Sequence, residues 1–206
     1  MIRAVLFDID GVIVDSVKGN AAMYRDLLGR FGYPGPTDEE HATRNHHTLI
    51  DNVRYFANGA PEDDIRKIFE HARKNPRGHE LMLLTDGVKG ALEALQGRYS
   101  LGVVSSRLHV GVGSLLDHFG IGGFFPVRVG FEDTEEHKPH PAPLLFGAEK
   151  LGVKPKQTVY VGDAQSDIDA AKAAGMKTVH YSHKILPGDH ATVSNFSDIP
   201  KVIRSF

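Results

Sequence analysis

A doubly wound α/β fold, in which helices cover both faces of a parallel sheet and a helical cap interrupts the core, is the architecture this sequence predicts. Three observations carry the expectation. Ile2 to Phe7 has no polar alternation after Arg3, as expected of a strand covered on both faces, and further strand candidates recur at Leu101 to Val104, Thr158 to Val161 and Thr178 to Tyr181. The later runs are separated by segments with helical spacing, as parallel crossovers require. The stretch from Val17 to Met82 is far longer than a crossover needs and contains no clear strand, so an inserted helical module is more economical than a long loop.

The elements follow in order. Ile2 to Phe7 reads as a central strand. Val17, Ala21, Tyr24, Leu27, Leu28 and Phe31 then share one helical face, with Asp15 and Ser16 suited to cap it and Gly32 to Pro36 to end it. A second helical region spans Glu39 to about Ala57, and a third starts at Pro61 and carries Ile65, Ile68, Phe69 and Ala72, closed by Asn75-Pro76-Arg77-Gly78. Thr85 or Asp86 is expected to cap the next helix, which bears Val88, Ala91, Leu92 and Leu95 and stops at Gly97. Beyond it come the strand Leu101 to Val104, a helix near Val110 to Phe119, a strand around Val127 to Val129 and a helix from Pro141 to about Leu151. Thr158 to Val161, a helix over Ser166 to Ala174 and Thr178 to Tyr181 complete the alternation. From His183 the chain reads as a loop, a short strand near Ala191 to Val193 and a last helix. The expected division is a core of residues 1–16 and 82–206 with a cap of residues 17–81.

Composition narrows the chemistry. A net charge of -2 over 206 residues offers no basic field for nucleic acid. Cys is absent, which excludes thiolate nucleophiles, thiolate metal sites and disulfides. The apolar run ending at Asp8 is too short for a signal peptide or a membrane span, so a cytoplasmic protein without membrane association is expected. Monomer and homodimer both remain open.

Polar groups collect where such sheets bind ligands. Asp8 and Asp10 follow the first strand, Ser105 and Ser106 the second, and Asp163 the strand Thr158 to Val161, all at carboxyl ends, while Lys138 precedes a helix start. A solvated turn would also accommodate Asp8-Ile9-Asp10-Gly11 alone, but not this sorting of all five positions. Asp8-Ile9-Asp10-Gly11-Val12, Val103-Val104-Ser105-Ser106-Arg107, Lys138-Pro139-His140-Pro141 and Val161-Gly162-Asp163-Ala164-Gln165-Ser166-Asp167 resemble, in order and spacing, the motifs of the haloacid dehalogenase-like hydrolase superfamily. The resemblance is to the capped branch that includes phosphoglycolate phosphatases and β-phosphoglucomutases.

That resemblance implies roles. Asp8 matches the family nucleophile, whose carboxylate attacks phosphorus to give an aspartyl-phosphate. Asp10 matches the residue that protonates the leaving oxygen and then activates water, its backbone carbonyl serving the metal. Asp8, Asp10, Asp163 and Asp167 together match the Mg²⁺ site, with Asp167 the more peripheral member. Lys138 matches the cation that neutralises the phosphoryl oxygens and Asp8. Ser105, with Ser106, matches the phosphate-binding position, although Ser105 replaces the more usual Thr, and Ser106 stands where Asn is frequent.

Twelve His residues invite a zinc reading, but His46-His47, His137 and His140 lack helical metal-ligand spacing with Glu, and most of the twelve are expected at the surface. In the cap, Arg44, Asn45, His47 and Arg54 form the densest polar stretch and are the candidate substrate contacts, each of which a solvated helix face would also explain. The expected function is a Mg²⁺-dependent phosphomonoesterase for a small phosphorylated metabolite. A phosphosugar mutase of the same branch and a non-catalytic phosphometabolite-binding protein are the alternatives, and a dehalogenase would not need Asp10.

Overall fold

The computed structural model describes residues 1–182 and 190–206, so the start of the loop expected from His183 lies outside the described residues. Six parallel strands form the main sheet: β1 (Ala4–Phe7), β4 (Ser100–Val104), β5 (Val127–Val129), β6 (Thr158–Gly162), β7 (Lys177–Tyr181) and β8 (Ala191–Val193). Their spatial order is β5-β4-β1-β6-β7-β8. The chain winds outward from β1 through β4 to β5, then returns to the opposite side of β1 with β6. That reversal sets the carboxyl ends of β4 and β6 beside that of β1, the place where such sheets open a ligand crevice.

Burial on both faces explains the apolar strands. Val5 and Phe7 of β1 join one core with Val103, Val161, Leu92 and Leu115, while Leu6 joins a second with Val104, Tyr160 and Leu144 on the other face. Helices α5 (Val88–Leu95) and α6 (His109–His118) supply the first core, and α7 (Ala142–Lys150) and α8 (Gln165–Ala173) the second. The C-terminal helix α9 (Ile199–Arg204) closes over the first core through Ile199 and Ile203.

Between β1 and β4 lie α1 (Val17–Gly29), α2 (Asp38–Ala42), α3 (Leu49–Phe56) and α4 (Glu62–Lys74). They build their own apolar cluster from Tyr24, Leu28, Val53, Ile65 and Ile68, with Leu108 of the sheet side packed into it. Where the chain leaves and rejoins the sheet, β2 (Val14–Asp15) and β3 (Leu83–Leu84) pair antiparallel and tie the two ends together. No helix among the described residues is long and apolar enough to cross a membrane.

Three local expectations are corrected. Ser16 occupies the N-cap position of α1 without a side-chain cap bond, because its hydroxyl accepts from Asn20 Nδ2 at 3.3 Å, and Asp15 belongs to β2. Helix α5 starts after Gly87, whose φ of 83° suits glycine, so neither Thr85 nor Asp86 stands at its N-cap position; Thr85 N donates to Ile13 O at 3.0 Å beside the β2–β3 pair. The region from Glu39 to Ala57 is two helices, since Thr48 caps a new start by accepting from Asp51 N at 3.3 Å. The intervening turn carries Arg44, Asn45, His46 and His47, which therefore do not share one helix face.

Candidate active site

Asp8 continues β1 by one ladder bond, its N–H donating to Val161 O at 2.8 Å, and its buried side chain turns into the crevice. Oδ1 accepts from the Ile9 N–H at 2.8 Å, and Oδ2 lies 3.0 Å from Lys138 Nζ. The ammonium is held from three directions, since it also donates to Asp167 Oδ1 at 2.7 Å and to Tyr160 OH at 3.1 Å. Tyr160 in turn donates to Val104 O at 3.1 Å, linking the lysine to β4. Asp167 is fully buried, and its other oxygen accepts from the Asp163 and Ala164 N–H groups at 3.2 and 3.1 Å.

Carboxyl oxygens of Asp8, Asp163 and Asp167 all lie within 4.8 Å of one another. Burial pushes the Asp8 carboxyl up to about 7 despite Lys138, and burial together with Asp167 and Asp8 pushes Asp163 up to about 9. Lys138 is raised well above its ordinary value, because Asp167 and Asp8 outweigh its own burial. Buried Asp163 Oδ1 has no hydrogen-bond partner among the described residues. An orphaned buried oxygen within a hard-oxygen, net-negative cluster fits a divalent cation. The free acceptor capacity belongs to Asp163 and to Asp8, whose oxygens each meet one donor, since each oxygen of Asp167 already meets two. Gly11, at φ 76°, brings the backbone so near the Asp163 carboxylate that a Cβ would collide with it.

Asp10 stands apart from that cluster. Arg107 grips its carboxylate with two bonds, Nε to Oδ2 at 2.7 Å and Nη2 to Oδ1 at 2.6 Å, and Asn20 Nδ2 adds a third at 3.0 Å. Burial alone would raise the Asp10 carboxyl, but the Arg107 guanidinium more than offsets it and holds the group below the ordinary carboxylate value.

Ser105 donates its N–H to Val129 O at 3.0 Å, which fixes it at the end of β4, and its hydroxyl accepts from Arg107 N at 3.2 Å. One cavity is lined by Asp8, Asp10, Ser105, Ser106, Lys138 and Asp167, with Asn45 and His46 contributed from the turn after α2. Of the cap candidates, Asn45 reaches this cavity and bonds Asn20 across 3.3 Å. His47 lines an adjoining cavity between the helical insertion and the sheet. Arg44 and Arg54 do not join them: Arg44 bonds Asn52 and stacks on Tyr55, while exposed Arg54 pairs with Glu62 at 2.7 Å.

Among the described residues, His41, His79 and His180 depart from the expectation of surface histidines and are buried, while His46 is exposed and still brings Nδ1 to 3.9 Å from Asp163 Oδ1. His46, Asn20 and Tyr160 are site residues that sequence reasoning missed. For Arg107 the signal was its place directly after Ser105-Ser106, whereas Tyr160 is hidden within an apolar strand.

Comparison with known proteins agrees with this geometry. Residues 5–181 match the family model for haloacid dehalogenase-like hydrolases. Phosphoglycolate phosphatase of Shigella boydii is 34% identical over 203 residues, covering 86% of this chain and 80% of that protein. The same-named Pseudomonas putida protein is 34% identical over 186 residues, covering 86% and 68%. Among solved structures, a subfamily IA hydrolase of this superfamily from Geobacter sulfurreducens is 28% identical with a TM-score of 0.80, covering 98% of this chain and all (100%) of that one. Sequence motifs, sheet order and relatives thus converge over most of the chain, which belongs to the haloacid dehalogenase-like hydrolase family as an enzyme of its phosphatase branch.

Proposed function

We propose that this chain is a cytoplasmic, Mg²⁺-dependent phosphomonoesterase that hydrolyses a small phosphorylated metabolite through an aspartyl-phosphate on Asp8. The observation that carries this reading is the setting of Asp8, with Lys138 at 3.0 Å on one side and the orphaned oxygen of Asp163 in the same cluster. The names of the relatives make 2-phosphoglycolate the first compound to test. Asp8, Asp163 and the Asp10 backbone carbonyl would hold the cation, with Asp167 behind them. When bound, Mg²⁺ supplies positive charge that offsets the repulsion between an anionic nucleophile and an anionic phosphate.

The protein groups then have separate tasks. An Asp8 oxygen bonds to phosphorus as the bond from phosphorus to the leaving oxygen breaks, and Asp10, ionised beside Arg107 in the free protein, takes up a proton as the anionic substrate binds and gives it to that oxygen. In the second half, Asp10 takes a proton from water, whose oxygen bonds to phosphorus and expels the Asp8 carboxylate, releasing orthophosphate. Splitting the substitution in this way and supplying a positioned proton donor is worth on the order of a hundredfold or more. Lys138 keeps an Asp8 oxygen oriented and balances charge on the phosphoryl group, while Ser105 and Ser106 offer donors to it. Residues 17–81 serve as the cap that excludes water and contacts the leaving group through Asn45 and its neighbours.

The test is phosphate release by wild type and Asp8→Asn with 2-phosphoglycolate and a panel of phosphorylated sugars. Loss of turnover in a folded Asp8→Asn protein, with Mg²⁺-dependent release by wild type, is the expected result. Undiminished release by Asp8→Asn would overturn the mechanism, and isomer formation from a hexose 1-phosphate without free phosphate would replace it with the mutase alternative.

A further inference from the structure

We infer that Tyr160 is a positioning residue for the reaction: its buried hydroxyl and Asp167 anchor two of the three N–H groups of Lys138, so that the third is aimed at Asp8 and the phosphoryl group it attacks. The inference rests on the phosphatase reading and deepens it. An ammonium has three donors and no acceptor, so its rotation is fixed only by what surrounds it. Among the described residues the count closes: Asp167 Oδ1 stands at 2.7 Å from Lys138 Nζ, Asp8 Oδ2 at 3.0 Å and Tyr160 OH at 3.1 Å, with the lysine side chain 6% exposed. Asp8 and Asp167 alone would leave one donor unpaired in a buried site, at the desolvation cost such a group carries, and would leave the ammonium free to turn between two carboxylates.

The strand makes a phenol at this position informative. Val159 and Val161 point into one core and Tyr160 into the other, on the face where the loop before α7 brings Lys138. Packing against Leu6, Val104 and Leu144 there would be served by phenylalanine, whereas a fully buried hydroxyl must find partners. It finds them at the site: besides accepting from Lys138, it donates to Val104 O at 3.1 Å and lies 3.3 Å from Asp167 Oδ1. Val104 ends β4 and precedes Ser105, so one phenol ties the lysine to the strand end that presents the phosphate-binding serine. The two carboxylates balance the charge of the ammonium, and the hydroxyl fixes the rotation of its N–H groups.

Tyr160→Phe removes the hydroxyl and keeps the ring. With p-nitrophenyl phosphate and 2-phosphoglycolate, kcat/KM is expected to fall roughly tenfold or more, as small misplacements of a catalytic group do. The factor should be the same on both esters, because Lys138 acts on the phosphoryl group and not on the leaving oxygen. A loss confined to one ester, or no loss on either, would overturn the inference. A hydroxyl with a structural role only would lower the Tm of the variant and leave kcat/KM of the folded protein unchanged. A second measurement needs neither turnover nor Tyr160→Phe: in wild type with lysine isotopically labelled at nitrogen, the Lys138 ammonium, identified by its loss in Lys138→Gln, should exchange slowly with water and show a nuclear Overhauser contact to the Tyr160 ring. Absence of that contact would overturn the inference. If wild type releases phosphate from neither ester nor from the phosphorylated sugars, the phosphatase reading falls, and the ammonium contact alone then decides whether Tyr160 holds Lys138.

Discussion

Lys138 donates a 2.7 Å hydrogen bond to Asp167 across 29 residues of sequence, and this buried pair fastens the loop before α7 to the first turn of α8. The second oxygen of Asp167 also receives two backbone N–H groups, so removing its charge loosens Lys138 and the Asp163 backbone together. Breaking one side of a buried pair strands the other charge. Asp167→Asn is expected to cost about 3 kcal/mol of stability by urea denaturation, in line with other broken buried pairs. Its kcat should fall while far-ultraviolet circular dichroism stays native.

Asp163 has the opposite balance between stability and function. Its carboxyl, raised to about 9 by burial and by Asp167 and Asp8, keeps in the folded state a proton that the unfolded chain releases near the ordinary value of 3.8. A folded-state pKa above the unfolded one means that stability is lost as pH rises through that interval. Asp163→Asn should therefore make the metal-free protein more stable by at least about 1 kcal/mol at pH 8 and flatten the decline between pH 5 and pH 9. Mg²⁺ should raise the Tm of wild type and not of the variant. Thermal unfolding in EDTA and in excess Mg²⁺ measures both effects.

The central strands β1 and β6 were legible in the sequence because they are covered on both faces, which leaves unbroken apolar runs such as Val159 to Val161. Placing Asp8, Ser105 and Asp163 at the ends of those runs followed from the parallel topology alone. The helical insertion was less legible because its turn geometry depends on packing between helices. Thr48 with Asp51 three residues on was a readable helix start, but the approach of exposed His46 to Asp163 is set by how the turn sits over the sheet. The caps failed for different reasons: the Ser16 hydroxyl accepts from Asn20, and the N-cap position of α5 falls on Gly87, two residues beyond Thr85.

His41 makes the insertion acid-sensitive. Its ring is 1% exposed, lies 5.2 Å from that of Tyr24, and has an Nδ1 without a hydrogen-bond partner among the described residues. Burial pushes its pKa down to about 4 from 6.5. The unfolded chain then binds the proton first as pH falls, so the stability is complete above about pH 6.5 and declines toward pH 4. Wild type should lose about 2–3 kcal/mol over that interval from this group, and His41→Gln distinctly less. Urea unfolding at pH 7.0 and pH 4.5 makes the comparison, and equal slopes for the two proteins would disprove the assignment.

Gly11 couples backbone conformation to the carboxylate cluster. Its φ of 76° lies where side chains are strained, and a Cβ built there runs into the Asp163 carboxylate. Gly11→Ala must both adopt the left-handed backbone and displace Asp163, so the stability loss should exceed about 1 kcal/mol. The displaced group is one of the two with free acceptor capacity, so the Mg²⁺ concentration for half-maximal activity should rise tenfold or more. Gly32→Ala is the control: it has a φ of 79° with nothing near its would-be Cβ, and it carries the same backbone strain without the collision. It should lower the Tm and leave the Mg²⁺ dependence unchanged, which separates crowding at Asp163 from the cost of the turn itself.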